Sequence, residues 1–96
     1  MPQISLPQNY EKLTQDQRRR VREAYIAKQN GRCAHCKEPL SGKPSIDVVN
    51  KSINEKLFPE SFFDYPVHLH HCHKTGMTIG AVHNRCNAFL WQYFGE

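Results

Sequence analysis

Two short-spaced pairs of metal-competent side chains, Cys33-x-x-Cys36 and His83-x-x-Cys86, stand in opposite halves of the chain and limit its possible folds more than any other feature. Zinc takes about four thiolate or imidazole ligands in a tetrahedron, and pairs delivered from distant segments are a usual source of them. Closing that tetrahedron staples the two halves together and contributes folding free energy on the order of 10 kcal/mol. Cys72 competes for the fourth place. The two-residue spacing favours His83, and the sequence leaves the substitution of one for the other open. Four reduced cysteines with no common role are the plain alternative.

A chain of 96 residues that is 39% hydrophobic has room for one domain with a thin core, so some cross-link is expected. Its N-terminus lacks the basic and apolar regions of a secretory signal, and no apolar run reaches membrane-spanning length. The expected setting is cytoplasmic and reducing, with no membrane partner, where thiols hold metal more often than each other.

Residues 1–13, with Pro2 and Pro7, read as an extended arm leading into a core over residues 14–96. Thr14 and Gln17 have the spacing of a capping box, Asp16 suits the first helical turn, and Gly31 suits a left-handed stop, which predicts a helix over residues 15–29. Its apolar stripe is narrow: Gln17, Val21, Ala24, Tyr25 and Lys28 share one face, with Arg19 and Arg22 directed away from it. Residues 38–66, broken by prolines, predict an irregular connection. Residues 67–72 and 78–82 predict two short strands around a glycine-containing loop. A second helix follows from Asn84 to about Phe94, with Cys86, Leu90, Tyr93 and Phe94 on one face. The fold class expected is small α+β, a helix followed by strand, strand, helix.

The net charge of +4 favours a polyanion without requiring one. Arg18, Arg19 and Arg22, clustered on the first helix, are candidates for successive phosphates, and a merely solvated helix face is the alternative. Trp91, Phe89 and the Phe62/Phe63 pair are assigned to packing, since aromatics in a small domain usually form its core.

His68, His70, His71 and His73 crowd into six residues, which packing alone does not explain. The stretch His70-His71-Cys72-His73-Lys74-Thr75-Gly76, then Gly80, then His83-Asn84-Arg85-Cys86-Asn87, resembles the active-site segment of HNH endonucleases of the recombination endonuclease VII type. With the upstream cysteine pair and helix, the resemblance spans residues 14–94, while residues 37–66 match nothing in it. It implies a zinc-stapled ββα-metal finger that cleaves DNA. In that finger His70 and Asn87 hold one divalent cation (Mg, Mn, Ni or Zn), His71 is the general base and His73 contacts the scissile phosphate. It also implies 5′-phosphate and 3′-hydroxyl ends. Lys74 and Arg85, with the arginines of the first helix, are the residues expected to hold the backbone.

Three departures from that pattern matter. His70 stands where the endonuclease VII type usually has Asp, although a His-His pair occurs in colicin DNases, and imidazole favours Mn, Co, Ni or Zn over Mg. Ile79 replaces a common arginine, and His83 replaces a usual cysteine. One geometric condition also follows: successive residues of a regular strand face opposite sides, so His70 and His71 serve one site only where the strand bends or ends. A zinc-stabilised nucleic-acid-binding module without hydrolytic activity is the alternative function, and a zinc-binding protein-interaction finger is a third.

Overall fold

The computed structural model describes residues 5–95. Its elements run α1 (Gln15–Lys28), α2 (Ile46–Val49), β1 (Val67–His71), β2 (Thr78–His83) and α3 (Asn84–Phe94), with 3-10 turns at Tyr10–Lys12, Glu55–Leu57 and Glu60–Asp64. This is a small α+β fold around one two-stranded antiparallel sheet. Among the described residues no helix is long and apolar enough to cross a membrane.

Helix α1 starts where its capping box starts it. The Gln17 N–H donates to the Thr14 hydroxyl at 3.2 Å and the Thr14 N–H to the Gln17 side-chain carbonyl at 2.9 Å, satisfying two of the amides that a helix N-terminus leaves unpaired. It stops at Asn30 and Gly31, both left-handed (φ 57° and 75°), and the Gly31 N–H returns to the Ile26 carbonyl at 2.8 Å. The face it buries is as narrow as its stripe predicts, Val21 and Tyr25 alone. Tyr25 reaches the sheet, its hydroxyl 2.9 Å from that of Thr78.

Helices α1 and α3 both pack on the hairpin. The outer edge of β2 is covered rather than open. The Thr78 N–H donates to the Gln8 carbonyl and the Gln8 N–H to the Thr78 hydroxyl, and the Tyr10 N–H donates to the Gly76 carbonyl, so the arm is docked from Gln8 onward. Further along, the Gln29 side chain pairs with both the N–H and the carbonyl of Ala81 at 2.9 Å, as a neighbouring strand would. The other edge of the sheet, along β1, has no partner strand among the described residues.

The core is thin. Of the four largest side chains buried to below 2% exposure, Val21, Val82, Cys33 and Cys86, two belong to the cysteine-histidine set, so the apolar interior and the metal-competent cluster are continuous. The expected stripe on α3 is only half realised: Cys86 is buried, while Tyr93 and Phe94 are 46% and 63% exposed. Residues 52–54 meet the last turn of α3 through polar groups, the Tyr93 hydroxyl donating to the Ser52 carbonyl at 2.7 Å and Gln92 bonding to Ser52 and Asn54.

Candidate functional site

The ligand atoms of Cys33, Cys36, His83 and Cys86 all lie within 4.8 Å of one another, close enough to bind one metal ion. Local geometry explains how each arrives. After the stop of α1 the chain folds back through Lys37 N–H to Cys33 carbonyl and Cys33 N–H to Glu38 carbonyl, a tight knuckle that directs both cysteines inward. His83 ends β2 and Cys86 sits in the first turn of α3. The Nε2 of His83 is 2.9 Å from the Pro39 carbonyl, to which it can only donate, and this leaves its Nδ1 lone pair facing the sulfurs at 3.4 and 3.7 Å. An imidazole held by its distal N–H is the usual arrangement of a ligating histidine.

The sulfurs of Cys33 and Cys86 act on each other directly. The hydrogen bond from Cys86, joined by backbone N–H groups of Cys36, His83 and His35, holds the Cys33 thiol far below its ordinary value. Cys86 is held above its own, first by that bond and then by burial and by the charge on its neighbours. Packed thiolates repel one another without a counter-charge, and three sulfurs with one imidazole form a donor set that suits zinc. Cys72 lies in the hairpin connection and is not part of the cluster.

A cleft of about 900 Å³ opens along β1, bordered by none of the four cluster residues. His68, His70, His71, His73 and Asn87 all border it, facing Arg18, Arg19 and Arg22 of α1. His68 and His70, two residues apart, share a strand face, and both meet Asn87. The Nδ1 of His70 is 3.2 Å from the Asn87 carbonyl oxygen, and the Nδ1 of His68 is 3.1 Å from the Asn87 amide nitrogen. The His70–Asn87 separation is that of a hydrogen bond, and two ligands adjacent on one octahedral ion at about 2.1 Å each would also stand about 3 Å apart.

His71 also reaches the cleft, although successive residues of a strand face opposite sides. Pairing runs His70 to Gly80 and then His71 to Thr78, leaving Ile79 as the extra residue of a bulge in β2. Strand β1 itself carries no extra residue and ends at His71. The cleft runs along it, and residues 67–71 all border the space. His71 stacks on Tyr10 with ring centroids 4.0 Å apart, and its other neighbour is the His73 ring at 4.9 Å. Burial, then the charges of His73, His70 and Arg18, hold His71 below the ordinary imidazole value.

The basic residues divide. Arg18 lies with its guanidinium carbon 3.8 Å from the Tyr10 ring centre and donates from Nε to the Tyr10 carbonyl. Arg19 is tied to Asp16 at 2.8 Å and Glu23 at 3.5 Å. Arg22 is half-buried at the cleft. Neither Arg18 nor Arg22 has an ion-pair partner among the described residues. Lys74 is exposed in the hairpin loop and Arg85 is half-buried on α3, and neither borders the cleft. Ile79 is half-exposed at the bulge, outside the cleft.

Two residues outside the sequence-derived site belong to its geometry. His68 was separable from its neighbours by strand parity, since it shares the face of His70. Tyr10 carried no such signal, because its contact with His71 joins the arm to a strand sixty residues away. Compared with protein-family models, with curated proteins and with solved structures, the chain has no match.

Proposed function

We propose that this chain is a zinc-stapled ββα-metal finger of the HNH type that hydrolyses phosphodiester bonds in DNA. His70 and Asn87 hold one divalent cation, His71 acts as general base, and the zinc at Cys33, Cys36, His83 and Cys86 is structural, since four protein ligands leave no open position for substrate. The observation that carries this reading is the meeting of His70 and Asn87 at 3.2 Å on a cleft that His71 also borders.

The chemistry follows from charge. A phosphodiester repels hydroxide, and attack builds further negative charge on phosphate and leaving oxygen. A divalent cation, when bound, supplies the opposing charge. His71, held below the ordinary imidazole value first by burial and then by neighbouring charge, takes the proton from the attacking water. Neither of its ring nitrogens has a hydrogen-bond partner among the described residues, which leaves one for that water. The Tyr10 stack fixes the plane of the ring, His73 stands beside it toward the phosphate, and Arg18 and Arg22 hold flanking phosphates. Products are 5′-phosphate and 3′-hydroxyl ends. With imidazole as a ligand, Mn or Ni supports activity at least as well as Mg.

Incubating the zinc-loaded protein with supercoiled plasmid and added Mg, Mn or Ni tests this. Wild type should nick or linearise the plasmid, and His71→Ala should retain zinc and fold while cleaving at least a hundredfold more slowly. A folded wild type that binds DNA and cuts with none of these ions would instead be the non-catalytic binding module. Activity unchanged in His71→Ala would remove that residue as base.

A further inference from the structure

The wall of the cleft opposite α1 is aromatic. Phe58, Phe62, Tyr65 and Trp91 border it, with Tyr65 67% and Trp91 41% exposed. Of the aromatic residues that the sequence assigns to packing, Phe89 does pack against the core. Phe58, Phe62, Tyr65 and Trp91 do not, for the core cluster and the partly buried side chains around it include no ring from residues 55–65 and not Trp91.

They form a separate group. Phe58 meets Phe62 at 4.6 Å and Trp91 at 5.4 Å, and Phe62 meets the His68 ring edge-on at 4.5 Å. Polar side chains of α3 clamp the segment that carries them. The Asn84 amide donates to the Phe63 and Tyr65 carbonyls, the Gln92 amide donates to the Ser52 carbonyl, and its oxygen accepts from the Asn54 N–H. Hydrogen bonds therefore hold the excursion in place, and its apolar rings are left facing the cleft.

Guanidinium groups on one wall, exposed rings on the other and His70, His71 and Asn87 between them match the three parts of a polynucleotide: phosphates, bases and the scissile bond. Rings can lie against base faces only where the bases are unstacked, because a continuous duplex presents edges alone. We infer that the aromatic wall formed by Phe58, Phe62, Tyr65 and Trp91 is a base-stacking platform, and that the cleft takes an unpaired single-stranded segment of nucleic acid in preference to uninterrupted duplex. This rests on the nuclease reading for its scissile bond but not for its binding.

Trp91 is the sole tryptophan, so its fluorescence reports the platform directly. Zinc-loaded His71→Ala, with no second cation added, is titrated at one salt concentration with oligothymidylate, with the same length of blunt duplex and with oligouridylate. Oligothymidylate should quench Trp91 saturably and bind about tenfold or more tightly than duplex. Anisotropy with a labelled oligonucleotide then compares three further variants. Trp91→Tyr should keep most of the single-strand affinity, and Trp91→Leu, which preserves apolar bulk, should lose about tenfold of it with duplex affinity unchanged. Arg22→Gln should weaken both substrates alike. Tighter binding of oligouridylate than oligothymidylate would keep the platform and replace DNA by RNA as its ligand.

Equal affinity for single strand and duplex, with Trp91→Leu binding as well as its parent, would overturn the platform while plasmid cleavage by wild type still upheld the nuclease. Preferential single-strand binding with no cleavage under any metal would uphold the platform and overturn the nuclease.

Discussion

The phenol ring of Tyr10 lies parallel to the imidazole of His71, with centroids 4.0 Å and planes 7° apart. A residue of the arm thus sets the orientation of the proposed general base, and Arg18 packs on the same phenol. Proton transfer depends steeply on such alignment. Tyr10→Phe should cleave like wild type because the ring remains. Tyr10→Ala should lose about tenfold to a hundredfold in kcat with zinc content unchanged. Equal rates for the two variants would detach Tyr10 from the chemistry.

The pH profile should carry the same signature. Burial and the neighbouring charges of His73, His70 and Arg18 lower the value of His71, so the neutral, proton-accepting form persists as pH falls past about 6.5, the ordinary imidazole value. A cation at His70 acts in the same direction. The acid limb of kcat/KM should therefore lie below pH 6.5, and replacing His73 with Gln should move it upward by removing one source of the shift. An acid limb at or above 7 in the wild type would contradict His71 as the titrating base.

Removal of zinc should unfold the chain, since Cys33 and Cys86 are at once proposed ligands and two of the four largest fully buried side chains among the described residues. Cys33→Ser should abolish the cooperative thermal transition. Cys72→Ser should leave metal content and thermal midpoint as in wild type, because Cys72 stands outside the cluster. Cobalt substitution offers the direct readout: thiolate charge-transfer absorption unaltered by Cys72→Ser but changed by His83→Cys. Loss of metal from Cys72→Ser would reassign the fourth ligand.

The contrast between what local pattern predicts and what it omits is visible along the chain. Helix α1 was legible because its start and stop are encoded within a few residues, at Thr14/Gln17 and Asn30/Gly31. The strands and the cluster at Cys33, Cys36, His83 and Cys86 were legible for the same reason. Residues 38–66 were not. Their turns at Ile46–Val49, Glu55–Leu57 and Glu60–Asp64 are too short to show a period, and their places are set by Asn84, Gln92 and Tyr93, hydrogen-bonding across about twenty to forty residues of chain. On α3 the apolar period was real, yet it reports only which side chains suit burial. Tyr93 and Phe94 stay exposed, and Tyr93 is held by a hydrogen bond to Ser52 instead of by burial.

His68 should act through Asn87. The Asn87 amide nitrogen can only donate, so the His68 Nδ1 at 3.1 Å is its acceptor. That bond turns the carbonyl oxygen of the amide toward His70. His68→Ala releases the amide, and the manganese concentration giving half-maximal cleavage should rise about tenfold to a hundredfold. His68→Gln, which can still present an acceptor, should recover part of the loss. A half-maximal concentration unmoved in His68→Ala would show that Asn87 needs no such support.

Gly80 joins the hairpin to the metal-binding knuckle by having no side chain. A Cβ at this position would stand 2.9 Å from the Ala34 Cβ and 2.9 Å from the Gln29 side-chain oxygen, the oxygen that accepts from the Ala81 N–H. Relief requires either moving Ala34, which lies between two metal ligands, or breaking the Gln29 clamp on β2. Gly80→Ala should thus destabilise the zinc-loaded protein by about 1–3 kcal/mol, as overpacking does, and lower its zinc affinity against a competing chelator. Gly42→Ala is the control, because its added Cβ would meet only the Pro39 carbonyl at an ordinary 3.7 Å. Denaturant unfolding of both variants decides the matter: equal midpoints for the two would mean that the hairpin and knuckle separate without cost, and that their contact does not brace the cluster.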